Sequence, residues 1–385
     1  MPPSDGAMLA LLDAGIDWDL LRARAQQEKA ASVVVKELGR LGWNSSDPGY
    51  RDLQQVARVA VMQMLQLERL LHQAVDTLHQ QGIEAMLLKG AGLGYTSYPS
   101  FADRPMGDLD LLVRAEHAER AWTALQQSGW TWPSERWARG HYTSHQHLPP
   151  LLREPGGFRL EIHGELLPAG HPFNFSSDTL WDRARRMIVE GRTLIIPHAV
   201  HQLWHTCVHF AWSHQMQWGS WRALRDGAAL CSKGGIDWGE FVRLARESLA
   251  GTCCYWTLRL ARGLAGADVP ADVLTALRPP RSVFMLEQLE RHFVASLFPS
   301  PDRCPSIWLS QRLWEAGLIP VWSGHGSARP WQAEERWVAG GEPDMPAAPR
   351  RRDLIGRLRH VGAWFGYLRR VHRFVLPSNT APRGH

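Results

Sequence analysis

The residues with the clearest chemical potential lie in the segment Met106-Gly107-Asp108-Leu109-Asp110-Leu111-Leu112-Val113. Side chains two apart on a strand point to the same face, so an extended chain here sets Asp108 and Asp110 side by side. Two carboxylates held that close repel, and unless a cation neutralises them one takes up a proton. A hard divalent ion with oxygen ligands at about 2.0–2.1 Å, as Mg2+ requires, removes the conflict. The competing reading is an exposed Asp-x-Asp on a polar strand end. Upstream, the apolar run over 83–88 ends in Lys89-Gly90-Ala91-Gly92, which predicts a strand followed by a glycine turn. Glycines there let backbone N–H groups approach a phosphate closely, and Lys89 adds a point charge. Arg104 lies between the two segments, and its guanidinium suits two-point contact with phosphate oxygens. A solvated strand-end lysine and a surface-loop arginine are the plainer alternatives.

Such residues need a sheet to hold them. The apolar run after Asp108 reads as a strand, residues 115–127 as a helix and residues 130–132 as a further strand. The alternating segment Phe158-Arg159-Leu160-Glu161-Ile162-His163 follows Gly156-Gly157, which suits a hairpin. Together they predict a small mixed α/β core over 82–196. Ahead of it, residues 18–41 read as one helix. Beyond a turn at 45–49, Leu53, Val56, Val59, Met64, Leu67, Leu71, Val75 and Leu78 recur at spacings of three to five, an amphipathic stripe. Residues 1–81 are thus expected to be an N-terminal helical region. A helical domain is expected over 197–300, with breaks at Gly234-Gly235 and Pro279-Pro280. It is followed by an irregular Pro/Gly/Trp-rich segment over 301–349. Residues 350–385 are expected to form a basic amphipathic C-terminal helix and tail. Over 352–376, Leu354, Leu358, Val361, Phe365, Leu368, Val371 and Val375 fall on one face and Arg opposite.

A chain of 385 residues exceeds the usual size of one core. With 44% hydrophobic and 21% charged residues the composition is that of an ordinary globular protein. The net charge of +5 is uneven: from Arg350 onward nine Arg face one acid, Asp353, so the tail carries +8 and the remainder −3. That tail has three readings: a helix docked on the body, a nucleic-acid contact, or contact with an anionic membrane surface. The five cysteines are odd in number and lack C-x-x-C spacing, which predicts free thiols and a cytoplasmic protein. The N-terminus has no basic n-region, and no stretch of 18 uncharged apolar residues occurs, so neither a signal peptide nor a membrane span is expected. His201, His205 and His209 fall at i, i+4 and i+8, a spacing that can seat zinc. No Glu lies between the first two, and the three drift by about 80° around a helix, which favours packing or a substrate groove. His141, His145 and His147 are expected in a solvated loop or edge strand.

The run LLKGAGLGYTSYPSFADRPMGDLDLLV resembles the signature of the uncharacterised nucleotidyltransferase family within the DNA-polymerase-β-like superfamily: a Lys-Gly turn, a Tyr, an Arg, then Asp-hydrophobic-Asp. The later EIHGEL is similar to the third-carboxylate strand, which usually reads Asp-x-His-Trp. The stretch HQLWHTCVHFAWSHQMQW with the following LRD resembles the helical part beyond it. The resemblance covers about residues 10–300 and is strongest over 87–113. It implies an α+β fold, a small mixed β-sheet nucleotidyltransferase core flanked by N-terminal and C-terminal helical regions. It also implies in-line attack of an acceptor group on the α-phosphate of an NTP, with pyrophosphate leaving. In that scheme Asp108, Asp110 and Glu161 are catalytic and hold Mg2+, two ions about 3.5–4 Å apart, with Mn2+ the alternative. Glu161 completes the nucleophile-side site and assists deprotonation of the acceptor; a strand-face salt bridge is its plainer role. Lys89, Gly90, Ala91 and Arg104 are implied at the nucleotide, and His163, His209 and Asp226 in the cleft, His163 orienting a carboxylate. The sequence departs from the pattern at Ala91, where Gly or Ser is common, at Glu161, usually Asp, and at Gly164, where Trp is common. The acceptor could be a small molecule, a sugar, a peptide or RNA. Two other functions fit the same residues: a catalytically silent nucleotide- or partner-binding module, and a tRNA-modifying nucleotidyltransferase toxin.

Overall fold

The computed structural model describes residues 5–43, 46–217, 219–297, 304, 307–318 and 365–371. The chain divides into two units, a sheet unit of Pro3–Ala169 with Phe175–Gln202, and a helical unit that includes Gly170–Asn174 and Leu203–His385.

The sheet unit is built on six strands: β1 (Met86–Leu87), β2 (Asp108–Leu112), β3 (Leu151–Arg153), β4 (Phe158–His163), β5 (Arg185–Val189) and β6 (Arg192–Ile196). They lie in the order β3-β4-β2-β1-β6-β5. β3–β4 and β5–β6 are antiparallel hairpins, β1 runs antiparallel to β2 and parallel to β6, and β2 runs parallel to β4. The class is α+β, a mixed sheet with helices before and after it. Strand alternation splits β2 and β4 into two chemistries. Leu109, Leu111, Leu160 and Ile162 face a core formed with Met64, Leu67 and Leu71 of helix Pro48–Gln80 and with Ala121, Trp122 and Leu125 of helix Ala118–Gln127. Full burial of each large apolar side chain contributes about 1.5–3 kcal/mol. The opposite face of the same two strands carries Asp108, Asp110, Arg159, Glu161 and His163, with Leu112 beside His163.

Several local expectations are revised. The helix expected over 18–41 is two, Trp18–Gln27 and Ala31–Arg40. Lys29 turns to a φ of 53°, and the Ala30 N–H closes back on the Ala25 carbonyl at 2.7 Å. Helix Pro48–Gln80 starts where Asp47 accepts from the Gly49 N–H at 2.7 Å with Pro48 in the first turn. Within its stripe Val59 is exposed and Ala57 takes the inward position. The strand expected over 83–88 is confined to Met86–Leu87, and the glycine turn is instead the first turn of helix Lys89–Thr96. In place of a strand at 130–132 there is a single bridge, Thr131 to Leu152.

In the helical unit, Gly234 and Gly235 adopt φ of 70° and 83° just past helix Arg222–Ser232, a glycine-dependent stop. Helices Trp238–Glu247, Gly251–Leu264, Ala271–Leu277 and Val283–Leu297 follow. Its interior is aromatic: Trp204, Phe210, Trp256, Phe293 and Trp314 are all buried. Three of its buried indoles find an acceptor: Trp204 Nε1 donates to Ser248 Oγ at 2.8 Å, Trp256 to the Gly317 carbonyl at 3.1 Å and Trp314 to the Ala211 carbonyl at 2.7 Å. The five cysteines are free, and burial pushes the Cys253 and Cys254 thiols well up. The segment expected to be irregular contains helix Ile307–Leu318. The rest of it, and the basic tail helix apart from 365–371, lie outside the described residues. Residues 365–371 are helical; Tyr367 and Val371 bury against Ala295 and Leu309, whereas Phe365 is exposed. Among the described residues no helix is long and apolar enough to cross a membrane.

Candidate functional site

The parallel pairing of β2 with β4 sets Asp108 opposite Arg159, Asp110 opposite Glu161 and Leu112 opposite His163. Paired residues of neighbouring strands share a face, so the register alone gathers acids from two separate segments. β1 approaches from the other side of β2. The Leu88 N–H donates to the Asp110 carbonyl at 3.0 Å, and Lys89 then turns with a φ of 45°. Its Nζ reaches Asp110 Oδ1 at 2.7 Å. Lys89, Gly90 and Ala91 are therefore the first turn of an eight-residue helix, where N–H groups lack partners within the helix.

The glycines in that turn are explained by close packing. A Cβ on Gly90 would meet Arg104 Nη1 at 2.8 Å, and one on Gly92 would meet the Leu87 carbonyl oxygen at 2.6 Å. Arg104 donates through Nη1 to the Pro105 carbonyl at 2.8 Å, which holds its guanidinium against Gly90. Arg104 thus packs on Gly90, the residue after the lysine that meets Asp110.

The acids are already neutralised by the protein. Arg159 Nη2 donates to Asp108 Oδ2, and Arg159 Nε lies 3.4 Å from Glu161 Oε1 without a hydrogen bond. His163 Nε2 is 3.0 Å from Asp110 Oδ1 and 3.8 Å from Glu161 Oε2. Burial opposes ionisation of Asp110, but Lys89 and the hydrogen bond from His163 outweigh it and hold the carboxyl well below the usual range. Glu161 behaves alike: burial works against the charge, His163 and His147 outweigh it, and the carboxyl falls to about 2. Burial likewise opposes the charge on His163, yet its bonds to Asp110 and Glu161 raise it above the ordinary histidine value. Asp110 does not need the proton that the Asp-x-Asp spacing alone suggests, because Lys89 and His163 supply positive charge to it.

The donor set fits a divalent cation. Asp110, Glu161 and His163 are buried and offer ligand atoms within 4.8 Å of one another. Both carboxylates are held ionised, which a metal ligand requires. Asp108 sits on the same strand two residues earlier, with Arg159 across one of its oxygens.

Two residues stand at this site without having been singled out as functional. His147 is bridged to His163 in an antiparallel ladder, and its side chain is only 11% exposed, 3.6 Å from Glu161. That overturns the expectation of a solvated histidine. Only the alternation of His145 and His147 just ahead of the β3–β4 hairpin hinted at it in the sequence. Lys29, from the break between the first two long helices, places Nζ where a Cβ on Gly107 would sit, next to Asp108; no local pattern marks it. His209 lies in the π-helical turn His209–Ser213 against the His214 ring, and Asp226 is buried in helix Arg222–Ser232, both in the helical unit. That turn interrupts the i, i+4, i+8 spacing of His201, His205 and His209, and none of the three joins the metal-competent group.

A search of curated proteins and a search of solved structures each return no match. Residues 14–266, more than half of the chain, match the family described as uncharacterised nucleotidyltransferase. That span takes in the helices from Trp18–Gln27 onward, all six strands and the helices as far as Gly251–Leu264. With the Lys-Gly helix start, the Asp-x-Asp strand and the acid of β4 on one sheet, the chain belongs to the uncharacterised nucleotidyltransferase family.

Proposed function

We propose that this chain transfers a nucleoside monophosphate from an NTP to an acceptor group and releases pyrophosphate. The observation that carries the reading is the register of Asp110 against Glu161 with Lys89 Nζ on the same carboxylate. Asp108, Asp110 and Glu161 are the residues that would hold Mg2+ or Mn2+. A divalent ion bound there supplies positive charge to phosphate oxygens and lowers the pKa of an attacking hydroxyl. Lys89 and Arg104, with the first-turn amides of Gly90 and Ala91, bind the triphosphate by charge and by unpaired N–H groups. Arg159, paired with Asp108 in this structure, would be free to contact phosphate if a cation took its place on that carboxylate. Glu161, held near 2, is a weak proton acceptor and serves as a ligand better than as a base. His163 fixes the rotamer of Asp110 through its hydrogen bond.

The direct test supplies purified protein with each labelled NTP, Mg2+ and a mixture of small molecules, peptides and RNA. Label on one isolable acceptor, with labelled pyrophosphate from γ-labelled NTP, is the expected result. A second reading, a silent nucleotide-binding module, is favoured by the pairing of Asp108 with Arg159 and of Asp110 with Lys89. It predicts NTP binding that is indifferent to divalent cations and no label transfer with any acceptor.

A further inference from the structure

Two imidazoles face Glu161, and their hydrogen bonds differ. His163 Nε2 lies 3.0 Å from Asp110 Oδ1. A carboxylate oxygen only accepts, so this nitrogen carries the hydrogen and acts as a donor. His147 is the reverse. Its Nδ1 lies 2.8 Å from the Leu148 carbonyl, which also only accepts, so Nδ1 carries the hydrogen. In the neutral ring Nε2 then holds a lone pair, and it faces Glu161 Oε2 at 3.6 Å. Two electron-pair donors are thus opposed. Donors that share one ion at about 2.0–2.2 Å lie about 3.0–3.6 Å apart, which is this spacing. Metal-bound histidines almost always donate the other ring N–H to a carbonyl or carboxylate, which fixes tautomer and orientation. His147 has that second bond; Nδ1 of His163 is buried with no partner.

The backbone holds this geometry. Leu148 N–H donates to the Ile162 carbonyl at 2.9 Å and Gly164 N–H to the Gln146 carbonyl at 3.1 Å, so residues 146–148 extend the ladder alongside the end of β4. The rings of Tyr142 and His145 each pack 5.5 Å from that of His147.

We propose that His147 Nε2 and Glu161 form a nitrogen-containing divalent-metal position, selective for Mn2+, Co2+ or Zn2+ over Mg2+. An imidazole ligand suits the borderline ions Co2+ and Zn2+, and Mn2+, though harder, accepts nitrogen more readily than Mg2+, which takes oxygen. The inference rests on Glu161 being a metal residue and does not require that nucleotide be transferred.

The test adds Mn2+ to the full-length chain without nucleotide and reads the bound ion by pulsed EPR. Bound Mn2+ shows a 14N coupling; His147→Gln removes it and weakens Mn2+ binding about tenfold or more, while His145→Gln and His163→Gln keep it. Mg2+ displaces the ion only at a concentration about tenfold or more higher. Bound Mn2+ without nitrogen coupling, or a coupling that survives H147Q, overturns the inference and leaves the carboxylate metal reading standing. Failure of Mn2+ to bind at all overturns both. Should circular dichroism show H147Q unfolded, the wild-type and H163Q spectra still decide, because both must carry the nitrogen signal.

Discussion

The sheet unit and the helical unit bury charge in different ways. In the helical unit Arg259 and Glu290 form a closed pair, Nε to Oε2 at 2.7 Å and Nη2 to Oε1 at 3.1 Å. The fork of the guanidinium meets both oxygens, and around it the interior is aromatic and aliphatic. In the sheet unit the charges of Asp108, Asp110, Glu161, Lys89, Arg159 and His163 form an open network. Arg159 Nε and His163 Nδ1 lack partners, and His147 Nε2 faces a carboxylate. A closed pair is a structural tie, since leaving either member alone costs about 3–5 kcal/mol in a buried setting. An open network keeps capacity for a ligand, and its resting ion pairs are partners to be exchanged.

That contrast can be broken or sharpened experimentally. The largest effect is expected from Asp110→Asn, which should lower nucleotidyl transfer about 10³-fold or more with the fold retained by circular dichroism. Undiminished transfer would reduce the open network to a structural one. In the helical unit Trp256→Ala should cost about 3–5 kcal/mol, read as a lower denaturant midpoint, and leave the Mn2+ affinity of the folded protein unchanged. A matching loss of metal affinity would end the division of roles.

Stability against pH should distinguish two histidines, His292 of the helical unit on the acid side and His163 of the sheet unit on the alkaline side. Burial holds His292 down to about 3, so the unfolded chain takes a proton below about 6.5 that the folded chain refuses. Stability present above that pH is lost as pH falls from about 6.5 toward 3, by up to about 1.4 kcal/mol per unit. His163 is raised, so its contribution is complete below about 6.5 and is lost as pH rises through its folded value. Denaturant midpoints from pH 3 to 9 should therefore fall at both ends, with His292→Gln easing the acid limb, to which the depressed carboxyls of Asp110 and Glu161 also contribute, and His163→Gln flattening the alkaline one. An alkaline limb that persists in H163Q removes this distinction.

Smaller effects probe single partners. Arg159→Gln removes a resident cation from Asp108, and because that side chain is 40% exposed the gain should be about 1 kcal/mol, roughly fivefold tighter Mn2+ binding by titration. Looser binding would make Arg159 part of the metal site's support. Lys29→Met should weaken binding of a non-hydrolysable NTP about two- to threefold, since an exposed lysine contributes less than about 1 kcal/mol. No change by calorimetry would leave Lys29 as a cover for Gly107 alone.

How much of this was legible in the chain follows from the range of each interaction. Asp108 and Asp110 share a face because strand alternation has a period of two, a property of five consecutive residues. Glu161 could be picked out by the same alternation after Gly156-Gly157, and the helices before and after the sheet by their apolar spacing. Local signals failed where a neighbour decided the outcome. Lys89 begins a helix because β1 is cut short against β2, and Gly90 and Gly92 are small because Arg104 and the Leu87 carbonyl press on them. His147 reads as a surface residue because only its alternation with His145 announces the pairing that turns it toward Glu161.

The amino-acid sequence by itself determined the inventory and the facing: three acids, a Lys-Gly step, an arginine between them, and the strand period that aims the acids one way. Only the tertiary structure decided which groups meet. The parallel register sets Asp110 against Glu161, Arg159 comes to lie on Asp108, and the hairpin brings His147 opposite His163. Facing is fixed by φ and ψ within each strand, whereas register is fixed by hydrogen bonds between strands far apart in the chain, selected by the apolar face they jointly bury.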